Sequence, residues 1–518
     1  MSAPPAAVLG VDLGTSVVKA SLFALDGTEL ATASRPIALR RPAPGHAEQD
    51  LDEFYTAAAA ATRQCLAAVP AVAAAVGAIA VAGQMAGVGL VDAAHRPLAP
   101  FDSWLDIRCA PVVEELHRTA GARIAAAAGC APTISIGPKM LWWLRHQPRL
   151  CGRAAKFVTA AGYVAGRLAG LPGSEAFIDG THLHFTAMAD VGTGRWDGHL
   201  VAAAGMDPGL LPRIVESSGV VGELTPAAAA DFGLRPGTPV AAGCGDTAAG
   251  ALGAGVLDAG QAFDIAGTAA VFGVCLPAFT PDTGGTLMTM RSALPGRWYS
   301  LSYVGGAGQL VEWICREMLG HAVLGEAAYA DLAAAAAGVA PGSAGLILSP
   351  HFEGRVAPAA PAMRGAVIGL SPVHGRGHLA RAALEAIAFE YRRYAEVARA
   401  LAPGSTVREV IGTGGGTRIG LWNQIKADVL ATAYRPVTGV ESGARGAALV
   451  AMAALGEPLP PLPASAYGPG RIPDPHVRPA YDTAYGDYQR WSDRLVRGYQ
   501  AGAGAPDREV PDRLGAAS

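Results

Sequence analysis

At 518 residues the chain is longer than one hydrophobic core supports, so two domains are expected. Hydrophobic residues make up 51% and charged residues 16%, which is ample material for both cores. A net charge of −3 provides no electrostatic footprint for nucleic acid or for an anionic membrane, and excludes both as partners.

Met1 to Ala7 lacks a basic region and leads straight into a strand-like run, which argues against a secretory signal. Val8 to Val11 is apolar, Gly14-Thr15-Ser16 interrupts, and Val17 to Phe23 resumes. Asp26-Gly27 then marks a tight turn before a further strand, so the chain opens as an antiparallel meander. Asp52 to Ala68 reads as a helix. The apolar stretch Ala71 to Val91 has the length of a membrane span. Its Ala and Gly content and Gln84 fit two short strands better, Ala78 to Val81 and Val88 to Val91, around the loop Gly83-Gln84-Met85-Ala86-Gly87. Pro239 to Ala242 is a strand, followed by Gly243-Cys244-Gly245-Asp246 and a small-residue helix from Thr247.

The run Phe263 to Phe272, with Gly267-Thr268 at its centre, repeats the opening strand, Gly-Thr turn, strand pattern. Two similarly built domains follow, with a boundary near residue 256. The chain turns Gly-, Ala-, Pro- and charge-rich after about Arg497, and a mobile tail is expected. Seven widely spaced cysteines, with no C-x-x-C pair, suggest neither zinc site nor disulfide framework. Reduced, buried thiols in a cytoplasmic protein are the simplest reading.

Phosphate binding needs backbone N–H groups aimed at an anion with no Cβ in the way. Gly14-Thr15-Ser16, Gly267-Thr268 and the run Gly412 to Thr417 each follow an apolar strand and each qualify; an ordinary tight turn is the competing reading for any one of them. No G-x-x-x-x-G-K-[ST] run is present, which disfavours a P-loop enzyme. Phosphoryl transfer also asks for a metal ligand and a base. Asp12, two residues before Gly14, could hold Mg²⁺ through water. Asp246, between a strand and a helix start, could be base, helix cap, or both. Gln84, Trp104, Asp106 and Arg108 are candidates for fixing a sugar in a cleft, with a surface loop and an anchoring Trp as the bland alternative.

These residues fall into a known order. Gly10 to Ser16, Glu48-Gln49-Asp50, Gly83 to Gly87, Trp104 to Arg108, Gly243 to Gly250, the stretch Gly414 to Arg418 with Trp422-Asn423-Gln424, and Glu441 to Ala448 together resemble the FGGY carbohydrate kinases, closest to their xylulokinase-like branch. The resemblance runs from Val8 to about Trp491. It implies an α/β fold of two actin-like ATPase (ribonuclease H-like) domains with the active site in the cleft between them. Residues 1–255 would hold sugar, 256–497 nucleotide, and 498–518 would form the tail. It implies ATP and Mg²⁺ as cofactors. Asp246 would be the general base and Asp12 the support for Mg²⁺. Gln84, Met85, Ala86, Trp104, Asp106, Arg108 and Asp246 would meet the sugar. Gly14, Thr15, Ser16, Gly267 and Thr268 would meet phosphates, and Gly414, Gly415, Gly416 and Asn423 would border the adenosine.

The implied reaction is ATP-dependent phosphorylation of a hydroxyl of a small sugar, a ketose such as D-xylulose. Another pentulose, a polyol, a glycerol-like substrate, or a non-catalytic actin-like nucleotide binder are the alternatives. A homodimer is the candidate assembly. Several positions depart from the branch's pattern. Ala86 stands where a His is usual, which puts D-xylulose in question; Leu105 replaces a polar Asn, and Thr181-His182-Leu183-His184-Phe185 replaces a "D-x-S-x-A-S" run. For the two histidines, packing or hydrogen bonding is preferred over substrate contact.

Overall fold

The computed structural model describes residues 6–267 and 269–501. Strands β1 (Ala7–Leu13), β2 (Val17–Ala24) and β3 (Glu29–Pro36) form the expected meander, with Gly27 in the left-handed conformation (φ +88°) at its second turn. Helix α1 (Leu51–Ala68) follows, its first turn capped by the Asp50 carboxylate, which accepts from the Asp52 N–H at 2.9 Å. Strand β4 (Val76–Gly83) then pairs parallel with β1. The stretch with the length of a membrane span is therefore a 3-10 turn, β4 and the short strand Gly89–Val91; no described helix is long and apolar enough to cross a membrane. Helix α2 (Ile136–His146) lies in the excursion before β5 (Val220–Glu223), β6 (Pro239–Ala241) and β7 (Cys244–Gly245), which complete a sheet of order β5-β6-β4-β1-β2-β3 with β7 beside β4.

After α3 (Asp246–Gly253) the pattern recurs. Strands β8 (Gln261–Ala266) and β9 (Ala270–Leu276) are an antiparallel pair. With β10 (Met288–Arg291), β11 (Trp298–Val304), β12 (Glu409–Thr413) and β13 (Ala433–Pro436) they form a sheet of order β10-β11-β9-β8-β12-β13. In each half an antiparallel run, β1 to β3 in the first and β8 to β11 in the second, is followed by two strands added in parallel on the side of its first strand. The repeat seen in the sequence is thus a repeat of topology, as two ribonuclease H-like units require. Helices α4 (Arg376–Leu401), α5 (Gly420–Leu430) and α7 (Arg478–Ala501) belong to the second unit. The last of these runs past residue 497, so four residues of the expected tail are helical; the rest lies outside the described residues.

Helix α6 (Ser442–Ala454) joins the two halves. Although it comes late in the chain, it packs on β1 and β4 of the first sheet and on α3. Small residues let it approach closely. A Cβ at Gly10, Gly253 or Gly446 would overlap backbone atoms of the partner element. The surrounding core draws Val8, Ala82, Ala248 and Leu252 together with Phe263, Ile411, Ala447 and Met452.

In the second unit the strand that carries Gly267 is anchored by a buried polar cluster. The Asp264 carboxylate pairs with Lys426 Nζ at 2.5 Å and accepts from the Tyr391 and Tyr434 hydroxyls at 2.7 Å each, and both charged residues are fully buried. Removing one partner of such a pair leaves an uncompensated buried charge. Lys426→Met is therefore expected to cost about 3–5 kcal/mol, read as a lowered urea midpoint. An unchanged midpoint would mean that the pair adds nothing to stability.

Candidate active site

Two carboxylates meet where the halves join. The β6–α3 connection can turn because Gly243 (φ +81°) sits where a Cβ would overlap the Val81 carbonyl. Gly245 is the N-cap of α3 and Asp246 its first residue, with Oδ1 accepting from the Thr247 N–H at 2.6 Å and the Thr247 hydroxyl at 3.2 Å. Asp246 is therefore not the cap of α3, and no described group bonds its second carboxylate oxygen. Burial raises the Asp246 carboxyl above the ordinary range, and the Thr247 bonds and His182 work against that shift. Asp12, next to last in β1, is pushed up to about 7 by burial and then by Asp246; Glu441 adds to the rise and Lys19 opposes it. Its Oδ1 is buried with no hydrogen-bond partner. Gly443 at the start of α6 stands so close that a Cβ would overlap Asp12 Oδ2. Two carboxyls, one with a buried oxygen that has no partner among the described residues, form a donor set that suits Mg²⁺.

The sugar-side candidates divide in two. Met85 Sδ lies against Gly245, Ala86 takes a left-handed conformation (φ +61°), and Trp104 remains 42% exposed while its Nε1 donates to Thr15 Oγ1 at 2.9 Å. Met85 thus stands beside the residue before Asp246, Trp104 stands against the Gly14–Ser16 turn, and Met85 and Ala86 are buried. Gln84, Asp106 and Arg108, expected as sugar contacts, are instead engaged within the protein. Gln84 Nε2 donates to Gln49 Oε1 at 2.7 Å and its Oε1 accepts from Ser103 Oγ at 3.0 Å. Asp106 accepts from the Ala47 N–H at 2.8 Å and pairs with Arg108, which also reaches Glu48 at 2.5 Å and lies over the Trp142 ring. Buried groups with satisfied partners brace the loop.

The glycine turns are brought together within each unit. Gly14 closes a tight turn, its N–H donating to the Val17 carbonyl at 3.2 Å, with Thr15 partly and Ser16 fully open to solvent. In the second unit Gly414 (φ +85°) and Gly416 pass directly over Ala266, so the Gly414–Gly416 loop and the β8–β9 turn at Gly267 form one edge. Thr268 lies outside the described residues. Asn423 donates to the Thr417 carbonyl at 2.7 Å and keeps a buried, unpartnered Oδ1. Ile265 reaches Gly250 of α3, which sets this edge beside the helix that carries Asp246.

Sequence reasoning missed several residues. The His182 ring bonds the Asp179 carboxylate at 2.5 Å, and both are buried. Burial alone would raise the Asp179 carboxyl, but His182 and the Thr181 bonds hold it below the ordinary range. Thr181 Oγ1 accepts from the Gly245 N–H at 2.8 Å, which locks this segment to the residue before Asp246. The adjacent His184 is pushed down to about 3 by burial and by His182, and is neutral. The paired histidines drew attention in the sequence; the carboxylate three residues before His182 was that ring's missing partner, while His184 bonds the Thr181 carbonyl at 3.0 Å. Asp179→Asn breaks a buried pair and is expected to destabilise by about 3 kcal/mol or more, measured by chemical denaturation. Lys19, which pairs with Glu441 at 2.5 Å across the halves, carries no signal in the sequence that could have found it.

Comparisons with known proteins agree with this geometry. The model of the FGGY family of carbohydrate kinases, N-terminal domain, matches residues 7–253, and that of the C-terminal domain matches residues 263–455. The xylulose kinase of Escherichia coli (strain K12) is 30% identical over 502 residues, covering 94% of this chain and 99% of the relative. The xylulose kinase of Klebsiella pneumoniae is 31% identical over 450 residues, covering 86% and 90%. The crystal structure of xylulose kinase from Rhodospirillum rubrum superposes with a TM-score of 0.86 at 30% identity, covering 95% of this chain and 100% of that one. Matched in both halves, and carrying two half-buried carboxylates where those halves meet, the chain belongs to the FGGY family of carbohydrate kinases and is a sugar kinase.

Proposed function

We propose that the chain transfers the terminal phosphoryl group of ATP to a hydroxyl of a small ketose, with D-xylulose as the first candidate, and that Asp246 is the base. The observation that carries the reading is the Asp246 carboxylate, held at one oxygen by Thr247 and free at the other, at the start of a helix beside Asp12. The sugar enters past Trp104, Met85 and Ala86 and presents its hydroxyl to the free oxygen of Asp246, which accepts the proton as the new O–P bond forms and the bond from the γ-phosphorus to the bridging oxygen breaks, releasing ADP. The Gly14–Ser16 and Gly267 turns border the phosphates, with the Gly14 and Gly267 N–H groups closing the turns themselves, and Gly414, Gly415, Gly416 and Asn423 border the adenosine. Asp12 would hold Mg²⁺, and the ion when bound would neutralise charge on the phosphates. Seven unpaired, buried thiols suit the reducing, ATP-supplying cytoplasm.

An ADP-release screen over pentuloses, hexuloses, alditols, aldonates and glycerol tests the substrate. Highest turnover with a pentulose is expected, as for the xylulose kinases the chain resembles, and Ala86, which supplies no side-chain hydrogen bond, makes a pentulose other than D-xylulose the main competitor. Preference for glycerol or for an anionic acid would overturn the ketose assignment.

Asp12 also predicts a proton signature. Its carboxyl titrates near pH 7 in the ion-free protein, and it must be ionised to hold the cation. Uptake of Mg²⁺ with ADP is expected to release protons around pH 7 and to tighten as pH rises from 6 to 8. Isothermal titration in buffers of different ionisation enthalpy measures this. Equal heats in all buffers would remove Asp12 from the ion's site.

A further inference from the structure

Lys139 on α2 is fully buried, yet no described carboxylate forms an ion pair with it. Its Nζ donates to two backbone carbonyls, that of Ala86 at 2.9 Å and that of Ser103 at 2.6 Å. Burying an ammonium group without a paired anion is costly, so it is retained where it organises something. Burial pushes this amine down to about 8, with Cys109, Asp102 and Asp106 opposing the shift and Arg108 adding to it. The two carbonyls belong to the two loops that carry Met85 and Trp104. The first is that of Ala86, an alanine in a backbone conformation that L side chains disfavour (φ +61°). The second directly precedes Trp104.

From Ser103 a polar ladder runs onward. Ser103 Oγ donates to Gln84 Oε1 at 3.0 Å, Gln84 Nε2 to Gln49 Oε1 at 2.7 Å, and Gln49 Nε2 to the Thr15 carbonyl at 2.9 Å. The Trp104 Nε1 bond to Thr15 Oγ1 at 2.9 Å closes the circuit. The neighbouring Trp143 adds a bond from its Nε1 to Asp102 Oδ2 at 2.7 Å. Helix α2 is thus a back-plate to which both sugar loops, and through them the Gly14–Ser16 turn, are fastened.

We propose that Lys139 is a positioning residue for the sugar: by holding the Ala86 and Ser103 carbonyls it fixes where Met85, Ala86 and Trp104 stand relative to one another and to the phosphate turn. This rests on those residues meeting the sugar. The ammonium itself stays behind the loops and touches no substrate.

The test is steady-state kinetics of the full chain carrying Lys139→Met, with D-xylulose or the acceptor that the screen ranks first. The sugar KM is expected to rise about tenfold or more, while the KM for ATP and the sugar-free ATP hydrolysis rate stay within about twofold. A purely structural role would scale all rates with the folded fraction and leave the sugar KM where it was, and that result overturns the proposal. A second arm reads the Ala86 bond. Glycine adopts the left-handed conformation without strain. In an Ala86→Gly background Lys139→Met is therefore expected to raise the sugar KM at least threefold less than in the native background; an undiminished rise would remove Ala86 from the argument. Should Lys139→Met not fold, Lys139→Gln, which keeps a donor, is read in the same way, and failure of both to fold would leave position 139 a matter of stability alone and the proposal wrong. If the unaltered protein phosphorylates none of the screened acceptors, the substrate assignment fails first. With turnover established, an unmoved sugar KM sinks only the role of Lys139.

Discussion

Asp246→Asn is expected to bind ATP as the unaltered protein does and to lose phosphoryl transfer by about a hundredfold or more, the scale of lost general-base catalysis. The substitution keeps shape and the hydrogen bonds from Thr247, because the amide oxygen can replace Oδ1 as their acceptor. It removes only the capacity to take a proton. The same residue sets a pH dependence. Burial raises its carboxyl above the ordinary Asp range, and only the ionised form can act as base. Turnover is therefore expected to fall as pH drops through that raised value, with the acid limb at higher pH than an exposed aspartate would give. Nucleotide titration and a kcat profile of both proteins measure the two effects. Near-native turnover in Asp246→Asn would show that another group accepts the proton.

The sequence carried the architecture well because its signals are local. A strand, a Gly-Thr turn and a second strand can be read within about fifteen residues, and its recurrence at Phe263 announced the second unit. Asp12 and Asp246 were legible for the same reason, each being fixed by an adjacent turn. What could not be read is what folding places side by side. Gln84, Asp106 and Arg108 have the chemistry of sugar ligands, but whether such a group faces a cleft or a neighbour depends on contacts as distant as Gln49 and Glu48. Lys139 gives no hint at all, since its partners are carbonyls, which every residue has. The place of α6 was equally hidden: a helix some 430 residues after β1 lies on it, and nothing in its composition beyond the small residues indicates this.

Those small residues carry the second large effect. At Gly446 a Cβ would overlap the carbonyl of Ala249 on α3, and at Gly253 one would overlap that of Ser442 on α6, so the two helices touch backbone to backbone. Gly446→Ala must therefore part them, because neither contact is with a flexible side chain that could move aside. Overpacking of this kind costs about 1–3 kcal/mol and sometimes more. The functional loss is expected to be larger than the loss of stability suggests. The first residue of α3 is Asp246, and the start of α6, at Gly443, backs Asp12. Separating the helices shifts the base against the ion's ligand, and a misplacement of about 1 Å can cost a hundredfold in rate. Gly446→Ala is thus expected to lower kcat by about that factor in protein that remains folded, with a lowered urea midpoint. Gly498→Ala is the control: it lies in α7 with nothing within 4 Å of the added methyl, and Ala favours a helix more than Gly does. It should hold or raise stability. Native kcat and midpoint in Gly446→Ala would mean that α3 and α6 have slack, and that the spacing of Asp12 and Asp246 is set elsewhere.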